Sequence, residues 1–385
     1  MQIYLDNSAT TRPYAEAVEA MRECMTENWG NPGGIYNFGR EAYRAMSQAR
    51  EQVARLIGAE PGEIFFTSGG TEADNLALRG VAERFQAGHI ITTEIEHAAV
   101  LKTCRELEER GFALTYLPPD GCGLITAEQV AQALRPDTLM VSVMLANNEV
   151  GTVQPLGDIG RLLAGRGVLL HTDAVQAIGK VPVDVNALQV DMLTISSHKM
   201  NGPKGIGALY VRYGADLQPI IFGGGQERGL RSGTENMPGI IGFGRAAELT
   251  AARFDEQRRK VLVARAAFLE ELGKNLQGWQ INGEPVDSDR RLPGNLHLSF
   301  WDTDGAALLL LLDMAGVAAS AASACSAGSA EPSHVLKAMG AEDWRLKSAL
   351  RLTFGWENTP EECAEAARIV AEQVKWLRGA GEGEV

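Results

Sequence analysis

The stretch Asp191-Met-Leu-Thr-Ile-Ser-Ser-His-Lys199 carries the strongest fold signal in the chain. Its central run, Met192 to Ile195, predicts a strand that is covered on both faces. The strand ends in a polar run that finishes with Lys199. The sequel, residues 202–207 with the sequence GPKGIG, predicts a tight turn into another strand. Lys199 is therefore either a solvated residue that opens a loop or a side chain held at a constrained point.

Short apolar runs alternate with segments of helical period on the N-terminal side of this stretch. Such alternation implies right-handed crossovers and a sheet of mostly parallel strands with helices on both faces. We therefore predict an α/β fold whose large domain holds a mostly parallel seven-stranded sheet flanked by helices. The strands are predicted at residues 63–67, 89–93, 113–117, 139–145, 168–171 and 191–195, and intervening helices at 100–110, 127–134 and 156–165.

The pattern changes after Gly242. A long charged helix is predicted over residues 245–276, two weaker strands near 296–300 and 351–354, and a final helix over 360–377. We interpret this part as a smaller α+β domain. The predicted boundaries are 13–250 for the large domain, and 1–12 together with 251–385 for the small one.

Composition restricts the class of protein. The chain has 385 residues, of which 45% are hydrophobic, so it can bury a large core. Its net charge of -13 argues against a nucleic-acid partner, because such binding uses clustered Lys and Arg. We expect no secretory signal and no membrane span. The cysteines are odd in number and scattered, which favours a reducing cytoplasm and predicts no metal site: Cys24, Cys104, Cys122, Cys325 and Cys363.

Polar residues follow the predicted strands one after another. Ligands of open α/β sheets bind beyond the carboxyl ends of the strands, so these residues share one edge. Any one of them could be a satisfied polar cap. Several in succession indicate a site, because an ionisable group is costly to bury without a partner. The groups are Ser68 to Thr71, Glu94 to His97, Asn147 with Asn148, Asp173 with Gln176, and Ser196 to Lys199.

These residue types suit pyridoxal 5'-phosphate, which combines a pyridine ring, a phosphate and an aldehyde. A protonated ring nitrogen needs a carboxylate, and Asp173 follows an apolar strand. A phosphate needs amides and hydroxyls, which Gly70, Thr71 and Ser196 offer, although the helix start at Gly70 alone is more simply an ordinary cap. An aldehyde needs a lysine whose amine can be neutral, as Lys199 after a buried run can be.

Seven short motifs together resemble one family. They are YLDNSATT (4–11), SGGTEADN (68–75), EIEH (94–97), NNEVGT (147–152), TDAVQAIG (172–179), SSHK (196–199) and RSGTEN (231–236). They are similar to motifs of the cysteine desulfurase group, of the NifS and IscS kind, among the fold type I pyridoxal-phosphate enzymes. The resemblance covers nearly the whole chain.

The resemblance implies a role for each matching residue. Lys199 corresponds to the lysine that holds the cofactor as a Schiff base and moves the substrate's α-proton. His97 corresponds to the ring stacked on the pyridine, which also helps in proton transfer. Asp173 pairs with the ring nitrogen and Gln176 with the ring oxygen. The implied phosphate ligands are Thr71, Ser196 and His198, with Thr234 donated by the neighbouring subunit of a homodimer.

The small-residue run at 323–329 predicts a loop around Cys325. By itself it is more simply a linker with a buried cysteine. The resemblance makes Cys325 the catalytic cysteine, which takes the substrate sulfur as a persulfide. It also matches Arg351 to the arginine that binds the substrate carboxylate, where a bidentate fork is suited. Asn148 is expected to add a bond to that carboxylate and to contact the ring.

The implied activity converts L-cysteine to L-alanine and passes sulfur to an acceptor protein, either an iron-sulfur scaffold or an enzyme of tRNA thiolation or thio-cofactor synthesis. Two alternatives stay open. A selenocysteine lyase would not need Cys325, and a sulfur-carrier or regulatory protein of the same fold would not be catalytic. Tyr36, Asn201 and Ala322 depart from the family's usual residues, so local contacts around them are not predicted by the resemblance.

Overall fold

The strands and helices come from a computed structural model, which describes residues 2–321 and 332–381. In chain order, the strands of these ranges are β1 (Ile3–Tyr4), β2 (Ile64–Thr67), β3 (His89–Thr93), β4 (Ala113–Leu117), β5 (Thr138–Ser142), β6 (Leu169–Asp173), β7 (Met192–Ser196), β8 (Gly207–Val211), β9 (Trp279–Ile281), β10 (Asn295–Phe300), β11 (Val317–Ala318) and β12 (Ala349–Thr353). The α-helices are α1 (Ala15–Thr26), α2 (Asn37–Leu56), α3 (Gly70–Ala82), α4 (Ala98–Glu109), α5 (Ala127–Ala133), α6 (Leu156–Leu163), α7 (Val185–Leu188), α8 (Met237–Ala252), α9 (Phe254–Asn275), α10 (Gly305–Met314), α11 (His334–Ala338), α12 (Asp343–Lys347) and α13 (Pro360–Gly381).

The main sheet has seven strands in the order β2-β8-β7-β6-β5-β3-β4. Strands β3 to β7 pair in parallel, and β8 runs antiparallel to both β7 and β2. The turn after Lys199 therefore leads into the single reversed strand of this sheet. The predicted α/β fold with a mostly parallel seven-stranded sheet is confirmed.

Neighbouring residues of the central strands enter two different hydrophobic clusters. Ile90 and Met140 pack into one cluster, whereas Ile91 and Val141, the next residue of each strand, pack into the other. Successive side chains of a strand point to opposite faces, so helices cover both faces of the sheet. This explains why apolar residues occupy consecutive positions of these strands, such as Ile90 with Ile91 and Met140 with Val141, rather than alternating with polar ones.

A second, three-stranded sheet with the order β12-β10-β9 is antiparallel throughout. Strand β1 pairs in parallel with β11, and Asp6 bridges to Thr353. Ile3 and Leu5 share a hydrophobic cluster with residues between 264 and 374. The first residues of the chain thus pack against its last third. The predicted domain boundaries themselves stay a prediction.

The predicted continuous helix over 245–276 is wrong. The chain instead forms α8 and α9, which meet at Arg253, where φ is -104° and ψ is 6°. The break has a packing reason, since α8 lies against α1 and α2 whereas α9 lies against α13. Among the described residues, no helix is both long and apolar enough to cross a membrane.

Candidate active site

Lys199 ends a short 3-10 turn (Ser197–Lys199) directly after β7. Its Nζ donates hydrogen bonds to the backbone carbonyl of Ser8 and, at 2.8 Å, to that of Ala9. The Gln176 side chain donates to the same Ser8 carbonyl at 3.0 Å. Lys199 and Gln176, which follow the neighbouring strands β7 and β6, therefore meet at one point of the N-terminal segment.

Asn201 fixes this N-terminal segment beside the lysine. Its backbone has φ of 60°, in the left-handed region that asparagine tolerates better than most residues. Its N–H donates to the Thr11 hydroxyl at 2.8 Å, and its side chain donates to the Arg12 carbonyl at 2.8 Å. The departure at Asn201 therefore has a structural use, because the segment bonded to Lys199 is attached here.

Asp173 and His97 face each other across the ends of β6 and β3. One ring nitrogen of His97 and one carboxylate oxygen each of Asp173 and Asp74 lie within 4.8 Å of one another. His97 is the N-cap of α4, and its Nδ1 accepts from the Ala99 N–H at 3.1 Å. In the neutral ring the proton is consequently on Nε2.

Asp173 is only 7% exposed, and burial raises the pKa of its carboxyl. The electrostatic interaction with His97, a 2.9 Å hydrogen bond from the Val175 N–H and the charge of Lys199 all oppose that rise in pKa. Asp173 is therefore a buried carboxyl whose anion has partners on one side. A protonated ring nitrogen is the kind of group such an anion binds.

The start of α3 offers backbone amides to an anion. Its N-cap is Gly69, which has φ of 155° and makes no side-chain cap. A Cβ on Gly70 would lie 3.0 Å from Val175 and 3.6 Å from the Cβ of Ser196, so the end of β7 adjoins this helix start. Thr71 lines a cavity of about 430 Å³ together with His97. The amides, hydroxyls and the positive end of the helix favour a phosphate here.

His198 lies next to Lys199, and its ring is neutral at pH 7. Burial, and then the charges of Lys199, Lys204 and Lys180, lower the pKa of its ring to about 4. Its Nδ1 is 3.1 Å from the Thr10 hydroxyl. A neutral imidazole fixed in this way can still donate one N–H to an anion.

Within one chain, the fold does not bring Thr234 to the other predicted phosphate ligands. It is exposed and lines a separate cavity that also contains Ser68 and Arg231. Arg231 forms an ion pair with Glu72 of α3, with 2.7 Å between Nε and Oε1. The sequence hypothesis that a second subunit supplies Thr234 stays a prediction.

Arg351 is 2% exposed and lies on β12. Its Nη2 is 2.9 Å from the carboxylate of Asp6, and its Nη1 donates to the backbone carbonyl of Asn148 at 3.1 Å. Its Nε has no hydrogen-bond partner among the described residues. The structure thus brings Arg351 and Asn148 together, and Nε is the donor left for a further carboxylate.

Cys325 and Ala322 lie outside the described residues, but the flanks of that segment are described. Ser320 pairs with Arg351, whose N–H donates to the Ser320 carbonyl at 2.7 Å. On the other side, the Ser333 hydroxyl donates to Glu149, and the His334 ring is 3.0 Å from the Glu96 carbonyl, next to His97. Both flanks are consequently bonded to the site.

Sequence reasoning missed Asp6, Asp74 and Glu149 as members of the site. Asp74 had a usable signal, because it lies three and four residues after Thr71 and Gly70 and so shares their side of α3. Asp6 and Glu149 lie inside the quoted motifs, but their partners are hundreds of residues away or in other loops. No local pattern indicates such contacts.

The donors fit pyridoxal phosphate. A buried carboxylate, a helix start with free amides, two hydroxyls and a lysine amine converge, and Asp74 adds a buried oxygen without a hydrogen-bond partner. The fold and site thus define a pyridoxal-phosphate enzyme.

The comparisons with known proteins agree. The family model for class-V aminotransferases matches residues 3–365, and the chain belongs to that family. The chain is 47% identical to a cysteine desulfurase IscS of Methanosarcina thermophila over 98% of this chain and 93% of the relative. It is 48% identical to a putative cysteine desulfurase IscS 1 of Bacillus subtilis, over 98% and 99%. It resembles the solved structure of a NifS-like protein with a TM-score of 0.91 and 39% identity, covering 98% of this chain and 100% of that one. A further structure, described as SspA in complex with cysteine, has a TM-score of 0.81 and 36% identity, covering 92% and 99%.

Proposed function

We propose that this protein is a pyridoxal-phosphate-dependent cysteine desulfurase that converts L-cysteine to L-alanine and takes the sulfur onto Cys325 as a persulfide. Full-length relatives named cysteine desulfurase support the activity. The observation that carries the proposal is that Lys199 and Arg351 both bind residues 6–9, Lys199 through backbone carbonyls and Arg351 through the Asp6 carboxylate, with both flanks of the Cys325 segment bonded beside them.

Each residue of the candidate site has a role in the proposed reaction. The cofactor, when bound, supplies the electron sink for the carbanion at the substrate's α-carbon. Lys199 binds the cofactor and then carries the α-proton. The Asp173 carboxylate holds the ring nitrogen and Gln176 the ring oxygen, while His97 covers the ring and helps in proton transfer. The phosphate is held by Gly70, Thr71, Ser196 and His198.

Arg351 and Asn148 hold the substrate carboxylate, for which the Nε of Arg351 is the donor left. Cys325 then attacks the substrate sulfur as a thiolate, because the neutral thiol is a poor nucleophile. A sulfur–sulfur bond forms on Cys325 while the carbon–sulfur bond of the substrate breaks, and protonation of the remaining fragment gives alanine. The two electrons of the broken bond stay with the carbon fragment.

The test measures alanine and sulfide released from L-cysteine with a reductant, and then persulfide on Cys325 by mass spectrometry. We expect Cys325→Ser to abolish alanine release, whereas Cys122→Ser, which changes a half-buried cysteine in a different turn, keeps it. Full alanine release by Cys325→Ser would favour a selenocysteine lyase instead. A purified protein without the cofactor's visible absorption, and without any band lost on borohydride reduction, would favour a non-catalytic protein.

The sulfur acceptor is proposed to be a protein, either an iron-sulfur scaffold or a tRNA-thiolation or thio-cofactor enzyme, in the cytoplasm. The enzyme is proposed to act as a homodimer, with Thr234 of each subunit completing the phosphate site of the other. Exposed apolar side chains support such an interface, since Ile35 is 90% and Phe222 is 82% exposed. Light scattering on the purified protein measures the mass, and a monomer that binds the cofactor fully would refute the shared site.

A further inference from the structure

Asp74 lies one turn inside α3, below the helix start at which the phosphate is proposed to bind. It is 1% exposed, and its Oδ1 has no hydrogen-bond partner among the described residues. The described titratable groups that face it are Asp173 and His171 of β6, with Glu96 and His97 between β3 and α4. Asp74 is thus a buried carboxyl set directly behind the carboxyl that faces the cofactor ring.

His171 does not balance a charge on Asp74. The Nε2 of His171 is 3.7 Å away, but burial lowers the pKa of that ring to about 3, so it is neutral. Both His171 nitrogens already have partners, with Ser142 at 2.8 Å and Thr194 at 3.1 Å. The 3.7 Å contact is therefore not an ion pair.

The acidic neighbours decide which group keeps a proton. Burial, and then the charge of Asp173, raise the pKa of Asp74 well above its usual range, although a bond from the Thr194 hydroxyl opposes the rise. Burial likewise raises the pKa of Glu96 to about 8. The pKa of Asp173 is also raised by burial, but His97, the Val175 N–H and Lys199 stabilise its anion. The positive end of α3 also favours an anion at Asp74, yet it acts at a distance of one turn and does not replace the lost hydration.

We propose that Asp74 is a positioning residue that stays protonated and so keeps the single negative charge of the pair on Asp173, facing the cofactor nitrogen. Two carboxyls this close in a dry site share one charge more readily than they hold two. The neighbours of Asp173 place that charge on the side of the ring. The role of Asp173 toward the ring rests on the proposed function; the protonation of Asp74 does not.

Infrared difference spectroscopy of the full-length holoprotein at pH 7 tests the proton directly. We expect Asp74→Asn to remove the carbonyl band of one protonated carboxylic acid, and Asp173→Asn to remove carboxylate bands. Two variants serve as controls. Glu96→Gln removes the carbonyl band of a second buried acid, so that this band can be told from that of Asp74. Asp158→Asn, at an exposed position in the first turn of α6, removes only carboxylate bands. Loss of carboxylate bands in Asp74→Asn overturns the proposal. If that variant does not fold, loss of an acid band in Asp173→Asn overturns it equally, and loss of carboxylate bands supports it.

A pH titration of the cofactor's visible absorption tests the positioning role. Ionisation of Asp74 as the pH rises adds a second charge behind the ring, so we expect one titration step in the wild type that Asp74→Asn lacks. A residue that only packs would leave the number of steps unchanged, and that result refutes the role. A protein that shows the acid band but makes no alanine refutes the desulfurase reaction and leaves the proton assignment intact.

Discussion

Replacing Arg351 by lysine tests whether this side chain binds the substrate carboxylate. The three guanidinium nitrogens of Arg351 have different surroundings. Nη2 lies 2.9 Å from the Asp6 carboxylate, Nη1 donates to the Asn148 carbonyl at 3.1 Å, and Nε has no hydrogen-bond partner among the described residues. A lysine amine in the same place can satisfy Asp6 but has no planar fork for a second carboxylate. The variant therefore loses one or two charge-assisted hydrogen bonds to the substrate.

The size of the effect follows from those bonds. A hydrogen bond to a charged group contributes about 1.5 to 3 kcal/mol, so the loss of one such bond corresponds to a roughly 10- to 150-fold rise in KM and the loss of two to a larger rise. The substrate carboxylate keeps its charge through the reaction, so binding is weakened equally in the ground and transition states. We therefore expect kcat within about threefold of the wild type.

The assay is alanine formation against L-cysteine concentration. Arg291→Lys is the matched control, because Arg291 is also buried in the last third of the chain but donates to the backbone carbonyl of Asn282 at 3.0 Å rather than to the site. It is expected to lower the melting temperature and leave KM unchanged. An unchanged KM in Arg351→Lys, or a fall in kcat alone, would refute the carboxylate role.

The remaining predictions concern stability. Glu227→Gln is expected to lower the free energy of unfolding by about 3 to 5 kcal/mol, because Arg50 binds both Glu227 oxygens at 2.7 Å and would be left buried without its counter-ion. Glu19→Gln, at an exposed ion pair, should leave the free energy of unfolding nearly unchanged in the same urea titration, because solvent screens such a pair, and equal losses in the two variants would contradict the reasoning. Burial raises the pKa of Glu149 to about 7, so the folded state binds its proton more tightly and this contribution is present at low pH and lost as the pH rises from about 4.5 to 7. Glu149→Gln removes that fall, worth at most about 1.4 kcal/mol per pH unit, and an unchanged pH profile of unfolding would show that the carboxyl titrates normally.

The sheet could be predicted from the sequence because its strands carry apolar residues at consecutive positions. Observed β3 and β4 coincide with the predicted residues, and β7 is shifted by one. The reversal of β8 was not predicted, since strand direction leaves no mark on an apolar run. The prediction of one long helix was wrong at Arg253. A charged residue within a helical period does not show that the helices on either side pack against different partners.

The sequence predicted several side chains of the candidate site but none of the backbone groups that they contact. Lys199, Asp173 and His97 were predicted because parallel strands end at one edge of a sheet. The carbonyls of Ser8 and Ala9, which accept from Lys199, were not predicted, because backbone groups are alike in every residue. Asp74 was overlooked because only residues directly after a strand were considered, although its spacing from Gly70 and Thr71 places it on their side of α3.

The position of the N-terminal segment also affects how the protein is made. Strand β1 pairs with β11 and Asp6 bridges to Thr353, so these contacts can form only after more than 300 further residues have been synthesised, whereas Lys199, which donates to Ser8 and Ala9, is synthesised earlier. Domains generally fold as units during synthesis, and the main sheet is complete in sequence by Val211. The candidate site is therefore completed only after β12, which carries Arg351, has been synthesised. A nascent chain stalled before β12 would carry the main sheet without a finished site.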